Sequence, residues 1–319
     1  MTAPLSFGLA YNLYLKYDLM RVARAFGEAG IPWLLLKGFA LAEVGHSGAA
    51  ARPMVDNDIV VLPREVGRAH RVLLGLGFYD RPGNTLELNR RADFEHPMHY
   101  PHAAVDTGLE LHWHIYAPEL FRGDVAPFFE RAVMREVAGL TALTLNNEDR
   151  LVQLATHWVQ HGLGERRILT DIALLWNAQH DVRHRVDWSA LVRRLEQVGA
   201  RAALALALLV LQRQGRLSVP VPESLTSHRS ALFFDAFEGQ LGRVFEADAG
   251  TLGSAEAHRL RLASWALLTP GRMLASARRE LLPSGARLSR IEGRELSTYE
   301  VLTHLAKRQV RAIGKLVRG

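Results

Sequence analysis

Apolar residues recur every three to four positions from residue 8 to residue 29, through Leu9, Leu13, Tyr14, Tyr17, Met20, Val22 and Phe26, which predicts an amphipathic helix. Gly30 and Pro32 end it. Trp33-Leu34-Leu35-Leu36 is a short apolar run bounded by Pro32 and Lys37-Gly38, as a buried strand would be. A short helix over Phe39 to Val44 and a loop from Gly45 to Pro53 follow. The β-branched run Asp58-Ile59-Val60-Val61-Leu62 predicts a second strand, closed by Pro63. Arg64 to Leu76 reads as a helix with Val66, Ala69, Val72, Leu73 and Leu76 on one face. Residues 78–104 have no clean period; Pro82-Gly83 and a histidine-rich stretch suggest a hairpin or irregular strands. Thr107 to Ile115 alternates, with Leu109, Leu111 and Trp113 on one face and Glu110, His112 and His114 on the other.

After Pro118 the period lengthens. Helical spacing covers 119–136, 147–160, 166–180, 187–213 and 229–246, and Asn146-Asn147-Glu148-Asp149 has the composition of a helix N-terminus. The expected fold is α+β: a small mixed β-sheet with flanking helices over 1–118, then an all-helical part over 119–319. No internal repeat or low-complexity tract interrupts it.

Composition narrows the chemistry. The 319 residues are 48% hydrophobic and 23% charged, close to globular averages. With no cysteine, disulfides, thiolate metal sites and cysteine nucleophiles are excluded, and a reducing cytoplasm is the expected location. The longest apolar run, Ala202 to Leu211, is about half of a bilayer crossing. Met1 to Ala10 has neither the basic start nor the apolar centre of a signal peptide, so no integral membrane segment or leader is expected. Net charge is +6 at a pI near 9.9, and from Gly271 onward 11 Arg and Lys stand against 4 Glu. That surplus favours phosphate-bearing partners without naming one.

The candidate chemistry lies at Asp56-Asn57-Asp58, at the mouth of a strand. Alternate strand residues share a side, so the two carboxylates can hold a pair of divalent cations about 3.5–4 Å apart, the arrangement that serves in-line phosphoryl displacement. Glu110, on the polar face of the later strand, is the best third carboxylate. Antiparallel pairing of its strand beside the Asp strand is the expected way to join the three. An Asp-x-Asp after a loop more often caps a turn; the order strand, Gly turn, Asp-x-Asp strand, helix, Glu strand is less ordinary.

Leu34-Leu35-Leu36-Lys37-Gly38, then Arg52 with Asp56-Asn57-Asp58-Ile59-Val60-Val61, then Glu110-Leu111-His112-Trp113, resembles an uncharacterised bacterial nucleotidyltransferase family of the polymerase-β-like superfamily. Asn147-Glu148-Asp149, His157, His161, Arg167 and Asp171-Ile172-Ala173 continue the likeness, which spans roughly residues 10–180. The resemblance implies metal ligation by Asp56, Asp58 and Glu110, a phosphate-facing turn at Gly38, and phosphate contacts from Lys37 and Arg52. It implies Mg2+, or Mn2+, as cofactor and an NTP as co-substrate. The gap of 18 positions from Gly38 to Asp56 is longer than in the wider superfamily, and Gly38 is followed by Phe39.

Each of these residues has a plainer reading. Lys37 can be a solvated strand end, and Arg52 can neutralise the carboxylates when no metal is bound. His157 and His161 share a helix face, but Trp158 stands where a zinc protease motif has Glu; they read as buried or capping groups, or as contacts to the acceptor or between domains. His112 is a further candidate for such a contact. Asp171 is placed to pair with Arg167. His96, His99 and His102, interleaved with Pro97 and Pro101, read as a polar strand or loop before a metal site. Ser297 to Arg318 forms a basic amphipathic helix that either docks on the helical part or meets a partner.

The expected reaction is metal-dependent transfer of a nucleoside monophosphate to an acceptor (a small molecule, a peptide or a protein) with release of pyrophosphate. RNA is open but not favoured, since no basic stretch is interleaved with aromatics. A kinase-like phosphotransferase and an inactive nucleotide-binding module are the alternatives.

Overall fold

The computed structural model describes residues 7–42, 52, 54–246, 254–305 and 307. Its first helix, α1 (Phe7–Ala29), runs where the periodicity puts it. Its buried stripe is Leu15, Leu19, Val22 and Phe26, whereas Leu13, Tyr17 and Met20 are about half exposed. Apolar residues surround this helix, so packing rather than period selects the inner face.

Six strands form one mixed sheet among the described residues: β1 (Trp33–Leu35), β2 (Asp56–Val61), β3 (Glu95–Pro101), β4 (Asp106–His112), β5 (Val133–Val137) and β6 (Leu140–Thr144), in the order β3-β4-β2-β1-β6-β5. β2 runs antiparallel to β1 but parallel to β4, which corrects the expected antiparallel pairing. The parallel register sets Asp58 opposite Glu110 and Asp56 opposite Gly108. Between them lie α2 (Lys37–Ala42), α3 (Val66–Gly75) and α4 (Leu86–Ala92). The last is capped by Thr85, whose side chain accepts from the Leu88 N–H, and it occupies a segment expected to be strand or hairpin.

The helix expected over 119–136 is absent. Only α5 (Ala126–Glu130) is helical there, and β5 and β6 form a hairpin closed by Ala138 and Gly139, both at positive φ. A two-residue turn of that hand matches strand twist. β6 then pairs with β1 through Leu35 and Thr144, so the sheet continues past residue 118.

The remaining helices are α6 (Asn147–Gln160), α7 (Arg166–Asn177), α8 (Trp188–Val198), α9 (Arg201–Arg213), α10 (His228–Glu246), α11 (Ser254–Ala263), α12 (Pro270–Leu281) and α13 (Gly285–Glu292). Asn146 caps α6 by accepting from the Asp149 N–H at 3.0 Å. The stretch expected as one helix over 187–213 is two, because Gly199 turns left-handed between α8 and α9. Residues 298–305 are helical, and the rest of the expected basic tail helix lies largely outside the described residues. No described helix is long and apolar enough to cross a membrane.

The sheet separates two cores. Leu35, Ile59, Val61, Leu109 and Leu111 pack under α1 and α3. Leu34, Leu36 and Val60, on the opposite face, join the large core of α6 to α10, which contains Trp158 and Trp176. Burying each such side chain contributes roughly 1.5–3 kcal/mol, enough to hold helices and sheet at a fixed separation.

Candidate active site

Along β2 and β4 the alternation that sends Ile59 and Leu111 into the first core sends Asp56, Asp58, Glu110 and His112 to the other face. The second core does not extend over this end of the sheet. A cavity of about 420 Å3 opens instead, lined by Asp56 and Glu110 from the sheet, Lys37 and Gly38 from the β1 turn, and Leu154, His157 and His161 from α6.

The turn after β1 is bent to reach it. Lys37 has φ 30°, and Gly38 φ 35° with ψ −119°, a region that suits only glycine. Strain of this kind costs roughly 1–3 kcal/mol per residue and is held here by the Leu36 N–H donating to Asp58 O at 3.0 Å. The Lys37 ammonium is thereby directed onto Asp58, with Nζ 2.7 Å from Oδ1.

His112 completes the cluster. Its Nε2 lies 3.2 Å from Asp58 Oδ1 and 3.3 Å from Glu110 Oε2, and its Nδ1 is 3.4 Å from Glu95 Oε2. Burial opposes its protonation, but hydrogen bonds to Asp58 and Glu110 win and raise its pKa to about 10. Burial pushes the Asp58 carboxyl up, yet Lys37 and His112 hold it well below the usual carboxylate range. Lys37 and His112 also lower the Asp56 carboxyl, but they do not prevail there. Burial first, then the charges of Asp58 and Glu110, push it up to about 7. Glu95 is raised to about 6, chiefly by burial. The site is thus short of positive charge, and two protein cations are drawn into it. Asp58, Glu110 and His112 offer ligand atoms within 4.8 Å of one another. The cluster holds two carboxylates and one imidazole, with Asp56 on the same strand face beside it, and hard carboxylate oxygens suit Mg2+ or Mn2+.

Asp56, Asp58, Glu110, Lys37 and Gly38 lie at this one end of the sheet. Arg52 lines the same cavity, but its Nε and terminal nitrogen donate to both oxygens of Asp171, at 3.2 and 2.8 Å. Lys37, not Arg52, neutralises the carboxylates. The same pair corrects the expected bond from Asp171 to Arg167, whose guanidinium instead lies 4.0 Å from Glu165. His112 sits among carboxylates below the cavity. His157 faces the cavity, and burial, with Lys37 nearby, keeps it neutral. His161 is exposed, its Nδ1 2.7 Å from Glu165. His99 and His102 diverge, the first pairing through its backbone with Tyr79 and the second reaching Asp18 at 2.8 Å.

Two residues escaped sequence reasoning. Glu95 begins β3 opposite His112, in a stretch without usable period. Gly108 faces Asp56; a Cβ there would lie 3.1 Å from Asp56 Cβ, so the glycine leaves the carboxylate its space. A glycine inside an alternating strand signals such close approach. Arg287 and Arg290 of α13 also line the cavity, facing it from the C-terminal helices.

A family described as uncharacterised nucleotidyltransferase matches residues 9–214 of the chain. No curated protein matches it.

Proposed function

The chain belongs to this uncharacterised nucleotidyltransferase family, and on that premise we propose that it moves a nucleoside monophosphate from an NTP to an acceptor, with Mg2+ or Mn2+ held by Asp56, Asp58 and Glu110. One observation carries the reading: Asp58 and Glu110 stand side by side on parallel strands, with Asp56 on the same face beneath a cavity of about 420 Å3. That volume falls in the range of small-ligand sites, about 300–1,000 Å3.

The divalent cation, when bound, neutralises the phosphates and lowers the acceptor's pKa. The chain's own groups do the rest. The acceptor oxygen attacks the α-phosphorus, the bond from that phosphorus to the bridging oxygen breaks, and pyrophosphate leaves. Glu110, the more open of the paired carboxylates at 28% side-chain exposure against 5% for Asp58, takes the acceptor's proton. Lys37, 2.7 Å from Asp58, would also be within reach of an NTP phosphate, and the Gly38 turn would present backbone N–H groups to the triphosphate. His157, His161 and Arg167 then face the acceptor, whose class, small molecule, peptide or protein, is open. Cation and NTP are the partners this reading requires.

Isothermal titration of each NTP with Mg2+ into wild type and Asp56→Ala/Asp58→Ala tests it. Binding that needs Mg2+ and vanishes in the variant supports the reading, whereas a folded wild type that binds no NTP sinks it. Label on the α-phosphate retained in product indicates nucleotidyl transfer; label on the γ-phosphate would make the enzyme a phosphotransferase.

A further inference from the structure

On the sheet face opposite the carboxylates, three side chains from separate segments converge. His70 lies in the middle of α3, Asp80 follows the Gly77 turn, and His96 is the second residue of β3. Strand alternation sends Glu95 to the cavity and His96 away from it, beside Met98 of the α1–α3 core. His96 Nε2 lies 2.8 Å from Asp80 Oδ1, and His70 Nε2 lies 3.0 and 3.1 Å from the two Asp80 oxygens. The imidazole centroids are 5.2 Å apart at 68°, so both Nε2 atoms point at one carboxylate without stacking.

We propose that His70, Asp80 and His96 form a second metal site, independent of the carboxylate centre and selective for a zinc-class ion. Two imidazole nitrogens and one carboxylate are the ligand types that favour Zn2+ or Co2+ over Mg2+. All three ligand atoms lie within 4.8 Å of one another. A tetrahedral ion with arms of about 2.0–2.1 Å separates its ligands by roughly 3.3 Å, so the hydrogen-bonded contacts need open by only about half an ångström. Asp80 keeps 23% of its side-chain exposure while His96 has none, which leaves a fourth, solvent-facing position for water.

The surroundings hold the ligands in place. Asn89 Nδ2 of α4 lies 2.6 Å from both His96 Nδ1 and Asn84 Oδ1, and turning both amides over offers the Asn89 oxygen to an Nδ1–H and to the Asn84 amide N–H, the first being the outer partner a metal-bound imidazole usually has. The ion would tie α3, the loop after it and β3 together, fixing the edge of the sheet from which Glu95 projects.

The test uses full-length protein carrying Asp58→Asn and Glu110→Gln, so that the carboxylate centre does not compete. After chelation, Co2+ titration followed by visible absorption is expected to give one equivalent with the intense bands of a low-coordinate ion, and Zn2+ to displace it and raise Tm. Adding His70→Gln or Asp80→Asn removes the bands and the Tm shift; the second substitution keeps the size and a hydrogen-bonding end, so a folded variant is available. In otherwise wild-type protein the same substitutions lower bound zinc by one equivalent. A folded parent without bands, or binding that survives both substitutions, overturns the proposal and leaves a hydrogen-bonded brace.

Discussion

β2 and β4 present two faces made of neighbouring residues, and the faces differ in every physical respect. On one, Ile59, Val61, Leu109 and Leu111 are at most 1% exposed and belong to the apolar core under α1 and α3. On the other, Asp56, Asp58 and Glu110 crowd like charges together, and Lys37 and the His112 imidazolium are drawn in to offset them. The first face stabilises the fold; the second opposes it, and persists because the first is sufficient. Strain and unfavourable charge concentrate where a ligand will supply what is missing.

The largest separation of the two should come from Asp58→Asn. Losing a carboxylate of the proposed cation site should cut nucleotidyl transfer on the order of a thousandfold, roughly 4 kcal/mol of barrier, with circular dichroism unchanged. Leu111→Ala, its neighbour one face over, should do the reverse. It should lower unfolding free energy by roughly 2–5 kcal/mol in urea titration, while NTP binding per folded molecule stays near wild type. If Leu111→Ala abolished binding at full stability, the faces would not be separable in this way.

Gly108→Ala sharpens the contrast within the charged face. The added Cβ meets Asp56 at 3.1 Å, with little apolar area changed. The expected result is roughly a 10–100-fold loss of Mg2+-dependent NTP affinity, the size of effect seen when a ligand's support is disturbed, with Tm nearly constant. Calorimetry that found affinity intact would show that Asp56 can shift without cost.

What was legible in the sequence follows the same division. Strand alternation and the Asp56-Asn57-Asp58 and Glu110-Leu111-His112 runs are local, so the polar face and three of its carboxylates could be read directly. The direction of the β2–β4 pairing could not, because nothing within either strand encodes it; it depends on where the chain passes between residues 62 and 105. The β5–β6 hairpin was lost because five-residue strands carrying Val133, Met134 and Val137 fit a helical period as well, and Gly139 was the only punctuation. The partners of Arg52 and His70 are 119 and 10 residues away and belong to no spacing rule. Local pattern therefore gives faces, whereas long-range pairs come only from the folded chain.

The smallest expected effect is a pH dependence, and it belongs to the charged face alone. In the metal-free protein Asp56 titrates near 7, raised by burial and by Asp58 and Glu110. Being raised, it stabilises the fold below the ordinary carboxylate pKa, and that contribution is lost as pH rises through about 7. A cation held by Asp56, as proposed, would need the ionised form, so below pH 7 a proton would have to leave for each ion bound. Apparent Mg2+ affinity should then rise up to about tenfold per pH unit toward 7 and level off above it. Asp56→Asn should flatten this profile and raise the metal-free Tm at pH 8, since the substitution removes a charge that burial, Asp58 and Glu110 disfavour. Leu111→Ala should leave the shape of the profile unchanged. If the slope persisted in Asp56→Asn, another carboxyl, Glu95 first, would be the one surrendering its proton.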